Sequence, residues 1–251
     1  MASKAWVCAA AGAALLLSSA PAAAGDADDL SARELATQAK DHLLDVESVH
    51  LKLTDRGADA RTSGTQPTSM DLSLDQAGDC VGTMRMGSDG GSVEIVKQGD
   101  EVWMKPDTAF WKAQVPGSEG DAVAKLFGNR YIHGSTDDAM LKGMADICDL
   151  TAFQKDVDTA GPSGDTPLTK GEETTVDDTR VIPLKGSEDG MRTTLYVTSD
   201  APHRLVSATQ KGAGTDMTLA FTDYDKPVPT KTPPAEDSVE VGKLREELES
   251  V

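Results

Sequence analysis

The chain has 251 residues, with 42 acidic and 24 basic side chains and a formal charge of −18. So acidic a surface argues against nucleic acid and anionic headgroups as long-range partners. The length suits one large domain with room for a substantial core.

Lys4 precedes an apolar run, Ala5–Leu17, that is too short to span a bilayer comfortably. Small residues at Pro21–Ala24 then lead into Gly25–Asp29. This pattern reads as a secretory signal peptide over residues 1–24, leaving 25–251 as a single domain with an extended tail from about residue 225. Cys8 lies near the start of the apolar run, on the wrong side of Leu15–Leu17 for a lipid-attachment cysteine, so the expected product is secreted or held in the cell envelope without a lipid anchor. Any membrane contact is expected to be peripheral.

Ser31 and Glu34 form a capping box that opens a helix, with Leu35, Ala39, Leu43 and Val46 on one face. Val49–Asp55 alternates as a strand, and Gly57–Pro67 reads as a polar loop. Ser69–Gln114 has the pattern of an antiparallel meander. Met70, Leu72 and Leu74 alternate with polar residues, as do Cys80, Gly82, Met84 and Met86 with Val81, Thr83 and Arg85. Turns at Ser88–Gly91 and Gln98–Asp100 separate further strands at Ser92–Lys97, Glu101–Lys105 and Phe110–Val115.

The middle of the chain has helical spacing at Gly120–Phe127 and Asp137–Cys148, then a further turn through Phe153 and Val157 capped by Asp149 or Thr151. After a turn-rich connector, Pro162–Pro167, strands are expected at Glu172–Thr175, Arg180–Leu184, Arg192–Thr198, Arg204–Gln210 and Met217–Tyr224. Pro183 marks an edge or an irregularity. A proline-rich exit, Tyr224–Pro234, precedes a short acidic helix at Val239–Leu248.

Two cysteines remain after processing, Cys80 and Cys148. They are either buried thiols or a disulfide, and export favours the disulfide. A bridge would place the helix ending at Cys148 on the methionine-bearing face of the strand Cys80–Met86. The expected fold class is α+β: a large curved antiparallel sheet, or half-barrel, with helices packed on its concave face.

Motifs for chemistry are missing from the sequence. His42, His50, His133 and His203 are dispersed without metal-ligand spacing, so no metal and no cofactor is expected. There is no G-x-S-x-G, H-E-x-x-H or phosphate-loop pattern, and Gly212–Gly214 reads as a hairpin turn. The acidic pairs lack the alternation and central glycine of a calcium loop. Nothing here supports an enzyme. Outside the leader, eight methionines accompany few aromatic rings. Methionine serves ordinary cores and also adaptable apolar cavities.

The order of elements, with Val49-His-Leu-Lys-Leu53, Met70-Asp-Leu-Ser-Leu74 and Gly99-Asp-Glu-Val-Trp-Met104, resembles the LolA-like superfamily, in particular the LppX/LprG-type lipid-binding envelope proteins of actinobacteria. Thr194–Val197 with Ala201–Leu205, Leu219–Pro227 and Pro233-Pro234 carry the resemblance through the second half. It implies a half-barrel that holds an apolar, acyl-lipid ligand between sheet and helices and performs no bond chemistry. By face, the implied lining is Met84, Met86, Met104, Leu141, Met144, Leu195, Met217, Leu219 and Phe221, with Trp103 and Trp111 at a rim. The other function compatible with the same fold is an envelope sensor or scaffold that binds a protein partner and no lipid.

Overall fold

The computed structural model describes residues 27–63, 66–87, 89–115, 117–160 and 167–249. The expected leader with Cys8, Ser88 of the first turn and most of the connector Pro162–Pro167 lie outside the described residues.

Ser31 caps α1 (Ala32–Asp45) with the expected box. Its hydroxyl accepts from the Glu34 backbone N–H at 3.2 Å, and the Glu34 carboxylate accepts from the Ser31 N–H at 2.8 Å. The apolar face of α1 buries Leu35, Ala39 and Leu43. β1 (Ser48–Asp55) follows, then a short α2 (Ala58–Thr62) inside the expected loop. The meander is β2 (Pro67–Asp75), β3 (Cys80–Met86), β4 (Ser92–Gln98) and β5 (Glu101–Pro106).

The expected last strand of that meander, Phe110–Val115, is instead α3 (Thr108–Gln114). Asp107 starts it: its carboxylate accepts from the Phe110 N–H at 2.7 Å and from the Ser92 hydroxyl at 2.7 Å. An N-cap seated on the neighbouring strand overrides the local β preference of the aromatic pair. α4 (Ser118–Phe127) packs on α3 and leads to β6 (Tyr131–Ser135). The expected helix Asp137–Cys148 shortens to α5 (Lys142–Ile147). Asp138 accepts from the Ser135 N–H, and the Ser135 hydroxyl from the Asp137 N–H, so these polar residues hold a turn where a helix start was expected. Asp149 then caps α6 (Leu150–Ala160) through the Ala152 N–H at 2.9 Å.

The second half comprises β7 (Leu168–Lys170), β8 (Thr174–Val176), β9 (Thr179–Glu188), β10 (Met191–Thr198), β11 (Leu205–Gly212) and β12 (Thr215–Thr222). β7 and β8 pair with different stretches of β9, and Pro183 falls in the gap between them, where no ladder donor is needed. The chain ends in β13 (Ser238–Glu240) and α7 (Val241–Glu249); the expected helix at Val239 therefore begins as a strand.

These strands form one sheet in the order β13-β6-β5-β4-β3-β2-β1-β12-β11-β10-β9-β7, with β8 off this path and paired to β9. β1 pairs with both β2 and β12 and so welds the two meanders together. β13 runs parallel to β6, and the other pairs are antiparallel. The order ends on two different strands, so the sheet stays open. A row of residues sharing the inner face runs Phe221, Leu51, Leu72, Gly82, Ile95, Met104, Ile132, Val239. At Gly82 a Cβ would overlap the Asp71 carbonyl oxygen, so only glycine fits at this point of β3 beside β2. The outer face is polar: His50 bonds Asp71 at 2.7 Å, and Lys52 sits 3.5 Å from the same carboxylate.

Helices cover the inner face unevenly. Cys148, at the end of α5, is bonded to Cys80 with 5.6 Å between Cα atoms. The bridge draws the helical insert onto β2–β6, the methionine-bearing half. α1, backed by α6, crosses β7, β10 and β11 on the other half.

Candidate functional site

The uneven cover produces two different interiors. Under α3, α4 and α5 the inner face is covered: Met84, Met86, Val93, Ile95, Met104 and Ile132 of the strands are all buried, as is Leu141 just before α5. Under α1 and α6 the cover is incomplete. A cavity of about 650 Å³ lies between Ala36, Ala39, Lys40 and Leu43 of α1, Val157 of α6, and the inner faces of β9–β12. Its floor comprises Leu195 on β10, Leu205 and Ala208 on β11, and Met217, Leu219 and Phe221 on β12. The register sets these side by side, Leu195 opposite Ala208 and Ala208 opposite Leu219. Leu195, Met217 and Leu219 face inward yet remain only half-buried, which is what an unfilled wall looks like.

The cavity is graded in polarity. One end is closed by the buried Leu43, Leu205 and Phe221. Phe153 of α6 packs on Phe221 with ring centroids 6.1 Å apart. Tyr224 donates its phenol hydrogen to the Leu205 carbonyl, and burial pushes the phenol above its ordinary pKa, so it stays a donor. The other end lies at the β9–β10 turn, where Ser187, Glu188 and Asp189 are exposed and Thr193, Thr209 and Gln210 join the wall. Lys40 is the one cation among the described lining residues, and it is paired with Asp158 of α6 at 2.7 Å.

α6 is held in place by a buried amide. Gln154 donates to the carbonyls of Leu43 at 3.1 Å and Val46 at 3.0 Å, and Gln76 donates to Val46 at 2.9 Å. These bonds satisfy the orphan carbonyls at the end of α1 and fix the two helices over the cavity.

Of the residues singled out from the sequence, Leu195, Met217, Leu219 and Phe221 come together on this floor. Met84, Met86, Met104 and Leu141 lie in the packed half, and Met144 lies partly buried against that core. The two groups share one sheet face but not one space, because the disulfide-tied helices fill the space above β2–β6. The two tryptophans do not rim this cavity. Trp111 is buried in α3, edge-on to Phe110. Trp103 is on the outer face, 4% exposed and stacked on His133 at 4.5 Å. It borders a smaller, separate concavity of about 490 Å³ under the proline-rich exit, with Arg130, Pro233, Glu240 and Lys243. Ala36, Val157, Leu168 and Ala208 were not anticipated as lining. The apolar periodicity of α1 marked Ala39 and Leu43 as inward-facing, but no periodicity tells a cavity from a core.

Among the described residues no group of His, Cys, Asp and Glu side chains is placed to hold a metal ion, and no helix is long and apolar enough to cross a membrane.

No family model and no curated protein matches the sequence. Solved structures do match. LprF from Mycobacterium bovis is similar over 81% of this chain and 97% of its own, at 14% identity and a TM-score of 0.54. The Mycobacterium tuberculosis lipoprotein LppX is similar over 79% of this chain and 99% of its own, at 16% identity and a TM-score of 0.49. The LolA superfamily protein NE2245 from Nitrosomonas europaea is similar over 82% of this chain and 96% of its own, at 12% identity and a TM-score of 0.26. With its open antiparallel sheet and helices on the inner face, the chain shares the fold of LprF.

Proposed function

We propose that this protein is an exported, non-enzymatic holder of an apolar, acylated ligand, which it carries between α1, α6 and the floor of β9–β12. The observation that carries this reading is the cavity itself. Its 650 Å³ falls within the usual range for small-molecule sites, and its wall is mostly aliphatic. A natural core closes such space, because unfilled apolar volume costs stability. The same chain packs its other half tightly, so the opening is a local feature of the α1–α6 side.

The binding set in this reading is Leu195, Met217, Leu219 and Phe221, joined by Ala39, Leu43 and Val157. The flexible thioether of Met217 suits a wall that must fit a chain of variable shape. The leader pattern at residues 1–24 and the Cys80–Cys148 bridge support export.

The test is native mass spectrometry on the mature protein purified from its producing cells, followed by organic extraction and lipid analysis. The expected result is an adduct that survives purification and releases an acyl lipid. A ligand-free mass together with a stoichiometric protein partner overturns the carrier reading in favour of a sensor or scaffold of the same fold.

A further inference from the structure

We propose that Phe221 and Phe153 form an end stop that sets the longest alkyl chain this protein accepts. The proposal rests on the carrier reading above and adds the residues that decide chain-length selectivity.

Behind Phe221 the inner face is filled. Phe221 lies opposite Leu51 in the β1–β12 ladder, and Leu51 lies opposite Leu72 on β2. All three are buried, so the cavity floor passes at Phe221 directly into the packed half of the sheet. From α6, Phe153 meets the Phe221 ring with 6.1 Å between centroids. Leu43 of α1 and Leu205 of β11, both buried, complete the closed end.

Each part of this wall is anchored close by. Gln154, adjacent to Phe153, donates to the carbonyls of Leu43 and Val46 and ties α6 to the end of α1. Tyr224 donates to the Leu205 carbonyl. Phe221 is held by the register of β12 on β1. Moving the wall aside would break buried hydrogen bonds, which is costly where water cannot replace them.

The other end yields. Ser187 and Asp189 at the β9–β10 turn are exposed, and the flexible side chains of Met191 and Met217 are only half-buried. An alkyl chain gains affinity with each methylene it removes from water. Once its tip reaches the stop, further methylenes remain outside at the mouth and add nothing.

The experiment titrates the delipidated mature chain with straight-chain primary alcohols from octanol to eicosanol, read by calorimetry. For the parent, affinity should rise about fourfold per methylene up to one chain length and stay level beyond it. Phe221→Leu and Phe153→Leu should each move that break to longer alcohols. Ala208→Phe, on the floor between stop and mouth, should move it to shorter ones. The rise per methylene below the break should be the same in all four proteins. Should Phe221→Leu fail to fold, Phe153→Leu, at a half-buried position, carries the same test. A purely structural role for the two rings would weaken every alcohol alike and leave the break in place, which overturns the proposal. So does a parent affinity that climbs through the whole series without a break. Both of those results leave the carrier reading standing, because alcohols still bind. Failure of every alcohol to bind overturns the carrier reading and the stop with it.

Discussion

Replacing Ala208 with phenylalanine separates an open cavity from a packed core by the sign of its effect. Ala208 lies on the floor, between Leu195 and Leu219 in the ladder, with the cavity above it. The added phenyl ring enters the 650 Å³ available and fills part of it. Burying a phenylalanine side chain stabilises by about 1.5–3 kcal/mol when complete; with one flank of the cavity open, about 1 kcal/mol is expected. In the packed half the same change has the opposite sign. Ala145 of α5 is buried beside Leu141 and Cys148, and enlarging it forces neighbours off their rotamers at a cost of about 1–3 kcal/mol. Urea unfolding of Ala208→Phe and Ala145→Phe, compared at constant m, measures both. Ala208→Phe should raise the midpoint and weaken lipid binding together, whereas Ala145→Phe should lower the midpoint. Equal losses of stability in the two variants would refute the claim that the β9–β12 half is open.

Three other outcomes follow from the same geometry. Replacing both Cys80 and Cys148 with serine frees a loop of 68 residues, for which chain entropy predicts a loss of about 4 kcal/mol; guanidinium unfolding of the two proteins should show it, and a loss under about 1 kcal/mol would mean that the helical insert is held on the sheet by packing alone. Gln154→Leu strips the buried Leu43 carbonyl of its donor and should cost about 1–3 kcal/mol in thermal unfolding. It should also speed amide exchange in α1 and α6, and unchanged exchange there would contradict the latch. The hydrogen bond from His50 holds the Asp71 carboxyl below its ordinary range, with the charge of Lys52 adding to it. Because the folded pKa is the lower one, the stabilisation is complete above the unfolded carboxylate value, near about 4, and is lost as pH falls through the folded value. Asp71→Asn should therefore be less stable than the parent at neutral pH and converge with it in acid; a constant difference across that range would assign the effect to something other than charge.

Much of the fold was legible because it rests on local periodicity. The alternation at Met70–Leu74 and Cys80–Met86 specified both the strands and their buried face, since a one-residue slip would send every apolar side chain to water. Ser31 and Glu34 specified the start of α1 through bonds three residues apart. Cysteine parity in a chain bearing a leader pattern pointed to the bridge. Non-local competition was not legible. Phe110–Val115 became a helix because Asp107 found Ser92 on another strand, and Ser135 with Asp138 held a turn where helical spacing continued. The sequence by itself determined which side chains face inward: Met84 and Met217 are on the same side of one sheet, as their alternation requires. Only the tertiary structure decided that Met84 is packed and Met217 faces open space. That division depends on where the helices come to rest, and the Cys80–Cys148 bridge, a contact between residues far apart in the chain, puts most of them over the other half.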